Sequence, residues 1–317
     1  MTCVSMPPGH LGSMGGVLII DETGFIKKGT ESVGVKRQYT GTTGKIDNCQ
    51  IGVFLCQATE SGTAFLDRKL YLPKEWAADM ERRGKAGVPE EVVFATKPEL
   101  AQQMLERAFA EGVPRRWVTG DSVYGTSRTL RRWLEEQKQP FVLAVPPGGS
   151  LWAGPIWEEG QVQTAGEIAS DLPKGAFQRL SAGKGSKGDR IYDWALIPLW
   201  RLQVTTEERA WGHGLLVRRS TEDPEEMAYY VVFAPRDEAT LESIVPVAGA
   251  RWRIEEGFEQ AKGACGLDEY EVRKYEAWHR HITLSLLAHA FLSVLAARER
   301  KKGISKTVTM ERTPLHS

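Results

Sequence analysis

Cysteine is scarce in this chain, and its scarcity argues against two ways of holding a fold together. The 317 residues include four cysteines, and their spacing forms no C-x-x-C pair. Neither a disulfide framework nor a cysteine-based zinc site is therefore indicated. The simplest inference is a reduced, cytoplasmic protein.

An excess of charge and a long apolar run are also missing. Lysine and arginine together number 41, as do aspartate and glutamate, so the formal net charge is zero. This balance neither supports nor excludes a polyanionic partner, because such binding depends on local patches. The run ITLSLLAHAFLSVLAA (282–297) contains a histidine and is flanked by charges, which predicts a buried core helix. We therefore expect a soluble protein with no membrane partner.

What the chain does contain is a series of short apolar runs and amphipathic segments typical of an α/β fold. Strands are predicted at 17–21, 115–121 and 140–146, a hairpin at 49–59 and 63–73, and helices at 97–112 and 126–137. The second helix has Thr126 or Ser127 as its cap. This order of elements predicts a mixed sheet with helices packed on it.

Composition also suggests how the chain is divided. Glycine, proline and tryptophan become frequent after residue 147, in short alternating segments that predict strands. From residue 241 the pattern is helical. The predicted division is a loose leader (1–15), the first part of a core (16–147), a β-rich insertion (148–240), a helical completion of the core (241–300) and a tail (301–317).

Two of the predicted strands end in an aspartate, Asp21 and Asp121. If these strands are neighbours in the sheet, their carboxylates meet at one edge and repel each other, which a cation would relieve. Hard divalent cations such as Mg²⁺ prefer carboxylate oxygens. Aspartate after a strand is also a common turn former or helix cap. The pair alone leaves both interpretations open.

A third carboxylate comes from the segment RWRIEEGFEQAK (251–262). On a helix, Arg251, Glu255, Glu259 and Lys262 lie on one face, beside an apolar stripe. These residues could form a ladder of ion pairs on a solvated surface. Alternatively, Glu255 could complete a metal-binding set. It suits that role better than Glu256, which does not lie on the shared helix face.

The same segment resembles the Y-x2-R-x3-E-x6-K signature of DDE transposases from bacterial insertion sequences. Arg251, Glu255 and Lys262 fit the spacing, whereas Ala248 stands at the tyrosine position. Further blocks resemble one group of these transposases in the same order across roughly 16–297: VLIIDETGFIKKG, SVGVKRQYTGTTGKIDNCQIGV, GDSVYG, KGDRIYDWA, AYYVVFAP, FEQAKGACGLDEYEVR and WHRHITLSLLAHAFL.

The resemblance implies an RNase H-like catalytic core with a β-rich insertion before the last helical segment. Asp21, Asp121 and Glu255 would bind two Mg²⁺ ions, for which Mn²⁺ could substitute. Arg251 and Lys262 would contact DNA phosphates near the scissile bond. The implied activity is metal-dependent cleavage at transposon ends and strand transfer into target DNA. A homodimer on paired ends and association with the nucleoid are implied as well.

Two basic segments are further candidates for DNA contact. Lys36 and Arg37 lie in a cluster of cations shortly after the first aspartate, either in a DNA-binding groove or in a solvated loop. The segment GKGSKG (183–188) matches G-x-G-x-x-G, but a strand-like run follows it, so no nucleotide cofactor is predicted. Its Lys184 and Lys187 belong either to a flexible turn or to a loop that touches DNA.

Two other functions remain open at this point. An RNase H-like nuclease would use the same metals without strand transfer. A truncated, inactive DNA-binding remnant is suggested because members of this family carry a sizeable DNA-contacting segment before the first aspartate, whereas only twenty residues precede Asp21 here. The sequence therefore resembles a transposase lacking most of that N-terminal region.

Overall fold

A mixed sheet of ten strands runs through the centre of the protein, as seen in a computed structural model that describes residues 16–154, 161–185, 188–200 and 205–301. The described residues form these ten strands and two more, which are β1 (Gly16–Ile26), β2 (Lys36–Thr40), β3 (Lys45–Thr59), β4 (Gly62–Tyr71), β5 (Arg115–Gly120), β6 (Phe141–Val145), β7 (Ser150–Trp152), β8 (Val162–Thr164), β9 (Gln178–Gly185), β10 (Gly188–Leu199), β11 (Trp211–Arg219) and β12 (Met227–Pro235). The sheet order is β2-β3-β1-β5-β6-β12-β11-β10-β9, β4 pairs with β3, and β7 and β8 form a separate ribbon. The predicted leader, Lys187 and all but the first residue of the predicted tail lie outside the described residues.

Helices cover both faces of the sheet. They are α1 (Lys74–Ala78), α2 (Met80–Ala86), α3 (Lys97–Ala110), α4 (Ser122–Gly125), α5 (Arg128–Glu136), α6 (Ala165–Ser170), α7 (Thr206–Arg209), α8 (Leu241–Ala250), α9 (Trp252–Cys265) and α10 (Tyr275–Lys301), with a 3₁₀ turn at Lys174–Ala176. Alternate residues of a strand face opposite sides of its sheet. Leu18 and Ile20 of β1 accordingly pack with α3 and α5, whereas Ile19 packs with α9 and α10. The predicted α/β class is confirmed.

Only the central strands of the sheet are parallel. β5 pairs in parallel with β1 on one side and with β6 on the other, and the remaining pairs are antiparallel. Parallel strands carry their C-terminal ends to the same edge of a sheet, which is where such folds place their sites. The mixed sheet flanked by helices agrees with the expected RNase H-like core.

The first strand is longer than the sequence predicts, so placing its end at Asp21 is wrong. β1 leaves β5 after Ile20 but stays paired with β3 from Val17 to Ile26. The long partner β3 continues the antiparallel ladder after the shorter β5 has ended at Gly120. Asp21 therefore lies inside β1, at the point where parallel pairing stops.

The short elements absent from the sequence-based prediction include one strand and two helices near the N-terminal half of the sheet, β2, α1 and α2. β2 has the sequence KRQYT, which has no alternating apolar residues. Only its last residue, Thr40, is buried. It forms a hairpin with the beginning of β3. The helices α1 and α2 each complete less than two turns, too short for a helical period to be visible.

The segment predicted to be a β-rich insertion does contain six strands, β7 to β12. Four of them continue the central sheet, because β12 pairs with β6 in a register that sets Phe233 opposite Phe141. Within this segment, Gly185 of β9 pairs with Gly188 of β10, so a strand and not a helix begins at the last residue of GKGSKG. The domain boundaries stay a prediction.

The long helix α10 carries the apolar run noted in the sequence. Among the described residues, its stretch Tyr275–Arg300 is the one helix long and apolar enough to cross a membrane, and 39% of its apolar window is buried inside the fold. Trp278, Ile282 and Leu286 of α10 pack in the same cluster as Phe258 of α9. This face of the helix therefore belongs to the core.

Candidate active site

The two aspartates singled out in the sequence lie next to each other at one edge of the sheet. Ile20 of β1 is opposite Gly120 of β5, so the residues that follow, Asp21 and Asp121, start side by side. Local hydrogen bonds orient both carboxylates. Asp121 caps α4 and accepts a hydrogen bond from the backbone nitrogen of Val123 at 2.9 Å. Asp21 Oδ1 accepts one from the backbone nitrogen of Glu22 at 2.8 Å.

Glu255 reaches the same place from α9. One nitrogen of Arg251, Nη1, lies 2.7 Å from Glu255 Oε1 and 3.4 Å from Asp21 Oδ2. Because both oxygens lie against one nitrogen, Asp21 and Glu255 are close together, and the contact of Arg251 with Asp21 spans 230 residues of sequence. The apolar stripe of α9 makes this possible, since Ile254 and Phe258 are buried against the sheet.

The three acidic side chains Asp21, Asp121 and Glu255 are hereafter called the carboxylate cluster. The side chain of Asp21 is only 12% exposed, whereas that of Glu255 is 35% exposed. Burial, and next the charge of Asp121, raise the pKa of Asp21 to about 8, although Arg251 opposes this shift. Burial also raises the pKa of Asp121, with Glu22 as the second cause. Added positive charge would therefore stabilise the ionised form of this site.

The chemistry of these donors fits a hard divalent cation, because each supplies carboxylate oxygens. Within the described parts of the chain, no three acidic, histidine or cysteine side chains converge closely enough to form a finished ion cage. The guanidinium of Arg251 stands between Asp21 and Glu255. Rotation of that side chain would free the inner oxygens of both residues for an ion.

Comparison with protein families identifies the superfamily of the chain. A family model described as "DDE superfamily endonuclease" matches residues 6–174, and one described as "Transposase DDE domain" matches residues 93–291. The chain belongs to the DDE superfamily. Among curated proteins, this DDE chain is 26% identical over 267 residues to "Probable transposase for insertion sequence element IS701" of Microchaete diplosiphon. The match covers 82% of this chain and 60% of that relative, so the chain spans about 60% of the relative's length.

The DDE chain has a fourth acidic residue at this edge, Glu22, which was not among the residues predicted from the sequence. Its Oε2 accepts a hydrogen bond from the hydroxyl of Tyr124 at 2.6 Å, and its Oε1 lies 2.5 Å from the ammonium of Lys97. Successive residues of a strand face opposite sides, so Glu22 points away from Asp21. Glu22 directly follows Asp21, but it lies outside the strand predicted at 17–21, and no local pattern pointed to its contacts.

Lys262 lies beside β1 just beyond the aspartate. Its ammonium is 3.5 Å from the carbonyl oxygen of Gly24 and 5.9 Å from the ring centre of Phe25. Burial lowers the pKa of Lys262. The helix face predicted from the sequence therefore makes two different contacts. Arg251 lies against the carboxylate cluster, and Lys262 lies against the backbone of β1.

Of the remaining cations predicted to bind DNA, the three that the structure describes lie on the two outer strands of the sheet. Lys36 and Arg37 are exposed on β2, where Lys36 forms an ion pair of 2.6 Å with Glu75. Lys184 is exposed on β9 at the other end of the sheet. In the described residues, no hydrogen bond or ion pair joins these three cations to the carboxylate cluster.

Proposed function

We propose that this chain acts as an insertion-sequence transposase, which cleaves DNA at transposon ends and joins the ends to target DNA. One observation carries the proposal. Asp21 and Asp121 start from neighbouring parallel strands, and Glu255 shares a guanidinium nitrogen with Asp21. Membership in the DDE superfamily supports the same reaction class.

In this proposal the carboxylate cluster holds two divalent ions, with Mg²⁺ as the natural choice and Mn²⁺ as a substitute. When bound, these ions supply the concentrated positive charge that phosphoryl transfer requires. The local hydrogen bonds of Asp21 and Asp121 hold both carboxylates in place beforehand. Arg251 turns from the acidic side chains toward a DNA phosphate, and Lys262 neutralises a second phosphate beside β1.

The proposed chemistry has two steps that balance without a covalent enzyme intermediate. Water attacks a phosphodiester at the transposon end, the P–O bond to the neighbouring nucleotide breaks, and a 3′-hydroxyl is released. That hydroxyl then attacks a phosphodiester of the target, forms the joining bond and displaces a target 3′-hydroxyl. The protein positions both reactants and receives no group, so it needs no serine, tyrosine or cysteine nucleophile.

The wider partners belong to the same proposal. Lys36, Arg37 and Lys184, together with Lys187, contact the DNA backbone outside the site, where each neutralised phosphate would strengthen binding. The protein works as a homodimer on paired ends in the bacterial cytoplasm, at the nucleoid when bound to DNA. It requires neither a nucleotide cofactor nor a membrane.

The test replaces each acidic residue in turn: Asp21→Asn, Asp121→Asn and Glu255→Gln. Cleavage and joining are measured with Mg²⁺ on a duplex that carries the DNA flanking the gene on both sides. We expect each variant to lose at least about 100-fold in rate, as expected when an essential electrostatic contact is removed. Glu259→Gln is the matched control, since Glu259 lies on the same helix but is exposed, and it should keep its rate.

The products separate this proposal from the two other functions. Joined DNA that disappears in the Asp121→Asn variant supports a transposase. Cleaved but never joined DNA would indicate a nuclease, and binding without either reaction would indicate an inactive DNA-binding remnant. Joining at the native rate by Asp121→Asn would overturn the proposed site.

A further inference from the structure

The two aspartates of the site meet where β1 and β5 stop pairing with each other, although Asp21 stays paired with β3. Parallel pairing between β1 and β5 ends at Ile20 and Gly120, one residue before each carboxylate. Asp21 is buried and Asp121 is partly buried, and two ionised carboxylates this close repel each other. A divalent ion needs the two carboxylates side by side, and a contact that joins the two segments beyond the end of the parallel pairing would help to keep them there.

The contact between Glu22 and Tyr124 lies at this position. Glu22 follows Asp21 directly, and Tyr124 comes three residues after Asp121 in the same α4 turn. The hydroxyl of Tyr124 donates to Glu22 Oε2 at 2.6 Å, and Tyr124 is fully buried. A carboxylate only accepts hydrogen bonds, so the direction of this bond is fixed. It joins the two segments that carry the aspartates.

The acceptor of this bond is itself fixed. Lys97, the first residue of α3, approaches the other oxygen of Glu22 to 2.5 Å. Both carboxylate oxygens of Glu22 are thus held, one by a hydroxyl and one by an ammonium. Lys97 also compensates the charge of Glu22, which would otherwise add a third uncompensated negative charge beside Asp21 and Asp121.

The α4 turn has little freedom to move on its other side. A Cβ added to Gly125 would lie 1.8 Å from the carbonyl oxygen of Ala144, so the turn rests directly on the end of β6. The turn that carries Asp121 is therefore held between β6 and Glu22.

We propose that Glu22 is a positioning residue, which acts through Tyr124 to hold Asp121 beside Asp21 at the spacing a divalent ion requires. The inference rests on the proposed function only in taking these two aspartates as ion ligands. Groups that orient metal ligands in this way alter ion affinity by about 10–100-fold when they are removed. In this proposal Glu22 is not an ion ligand, because its two oxygens face Tyr124 and Lys97.

The experiment measures Mn²⁺ binding to the full chain in the absence of DNA, by the electron paramagnetic resonance signal of free Mn²⁺. Tyr124→Phe removes only the hydroxyl and should weaken Mn²⁺ binding about 10-fold. Tyr270→Phe is the matched control, because it removes another buried hydroxyl, which donates to Gln50 at 2.9 Å. Native Mn²⁺ affinity in Tyr124→Phe, or an equal loss in Tyr270→Phe, would overturn the proposal.

A second pair of variants isolates the hydrogen bond from the charge of Glu22. Glu22→Gln and Glu22→Ala both lose that charge, but the glutamine amide oxygen still accepts a bond from Tyr124. We expect Glu22→Gln to bind Mn²⁺ several-fold more tightly than Glu22→Ala. Equal affinities would contradict a role through the hydroxyl, even if Tyr124→Phe failed to fold.

DNA assays keep this inference separate from the proposed function. In Tyr124→Phe the Mg²⁺ concentration for half-maximal cleavage should rise about 10-fold, with the rate restored at saturating Mg²⁺. A rate that stays low at saturating Mg²⁺ would contradict a positioning role. If Mn²⁺ affinity depends on Tyr124 but the protein joins no DNA, the proposed transposase function is wrong. The positioning role of Glu22 would still stand.

Discussion

The two sides of β1 treat neighbouring carboxylates in opposite ways. On the α4 side, Glu22 has a partner for each oxygen, Tyr124 at 2.6 Å and Lys97 at 2.5 Å. On the α9 side, Asp21 has a longer contact of 3.4 Å with Arg251, and burial raises its pKa to about 8. One side of the strand is therefore satisfied and fixed, whereas the other remains short of positive charge.

This difference suggests a division of work within a single strand. A buried charge is tolerated when it is paired and hydrogen-bonded, and it is costly when it is not. Glu22 meets this condition within the protein. Asp21 meets it only in part, so its ionised form would gain from a ligand that brings positive charge. The fixed side can then define where the unsatisfied side meets that ligand.

The largest effect is expected from disturbing the support of the fixed side. Gly125→Ala would place a methyl group 1.8 Å from the carbonyl oxygen of Ala144, and backbone must move to admit it. We expect the free energy of unfolding to fall by about 1–3 kcal/mol or more, as in other overpacked sites. Urea unfolding measures this loss. Gly148→Ala is the control, because its added methyl meets no atom within 4 Å. Similar losses in both variants would contradict the close seating of α4.

A smaller effect should follow when the charge partner of Glu22 is removed. Lys97→Met leaves a carboxylate that is only 18% exposed without its cation. We expect the free energy of unfolding to fall by about 1–2 kcal/mol, since charged hydrogen bonds contribute on this scale. Lys36→Met breaks an exposed pair, whose side chains are 43% and 69% accessible, and should cause no measurable change. An unchanged unfolding midpoint in Lys97→Met would show that the two sides of β1 do not differ in this way.

Local patterns in the sequence foresee one side of β1 much better than the other. Asp21 and Asp121 each follow an apolar run, and the stripe of Ile254 and Phe258 orients α9, so the positions of these elements follow from short segments. Arg251 and Glu255, four residues apart on one helix face, form the ion pair that their spacing indicates. These features depend on strand and helix periods, which a sequence displays directly.

The contacts of Glu22 have no such local signature. Its two partners are 75 and 102 residues away in sequence, and only the packing of α3 and α4 on β1 brings them together. The position of Arg251 between two carboxylates is hidden for the same reason, since Asp21 is 230 residues distant. β2 escapes detection because its exposed, charged residues lack alternation. Hydrophobic patterns in the sequence therefore predict strands and helices, but they do not predict tertiary contacts between polar residues.

The smallest net effect is expected from Arg251→Gln, because an ion can replace the guanidinium that is removed. Without divalent ions, Asp21 and Glu255 lose their shared cation, and unfolding free energy should fall by about 1 kcal/mol. With Mg²⁺ present the variant should recover to within about 0.5 kcal/mol of the native protein, since a ligand that binds only the folded state stabilises it. Urea unfolding in EDTA and in Mg²⁺ measures both values.

Arg253→Gln is the matched control for this last variant. Arg253 lies on the same helix, but its guanidinium donates to the carbonyl oxygen of Thr59 at 2.6 Å and does not touch the carboxylate cluster. Its loss should therefore be the same with and without Mg²⁺. If Mg²⁺ stabilises Arg251→Gln no more than it stabilises the native protein, the guanidinium does not occupy the place of a cation. The α9 side of β1 would then be as fixed as the α4 side.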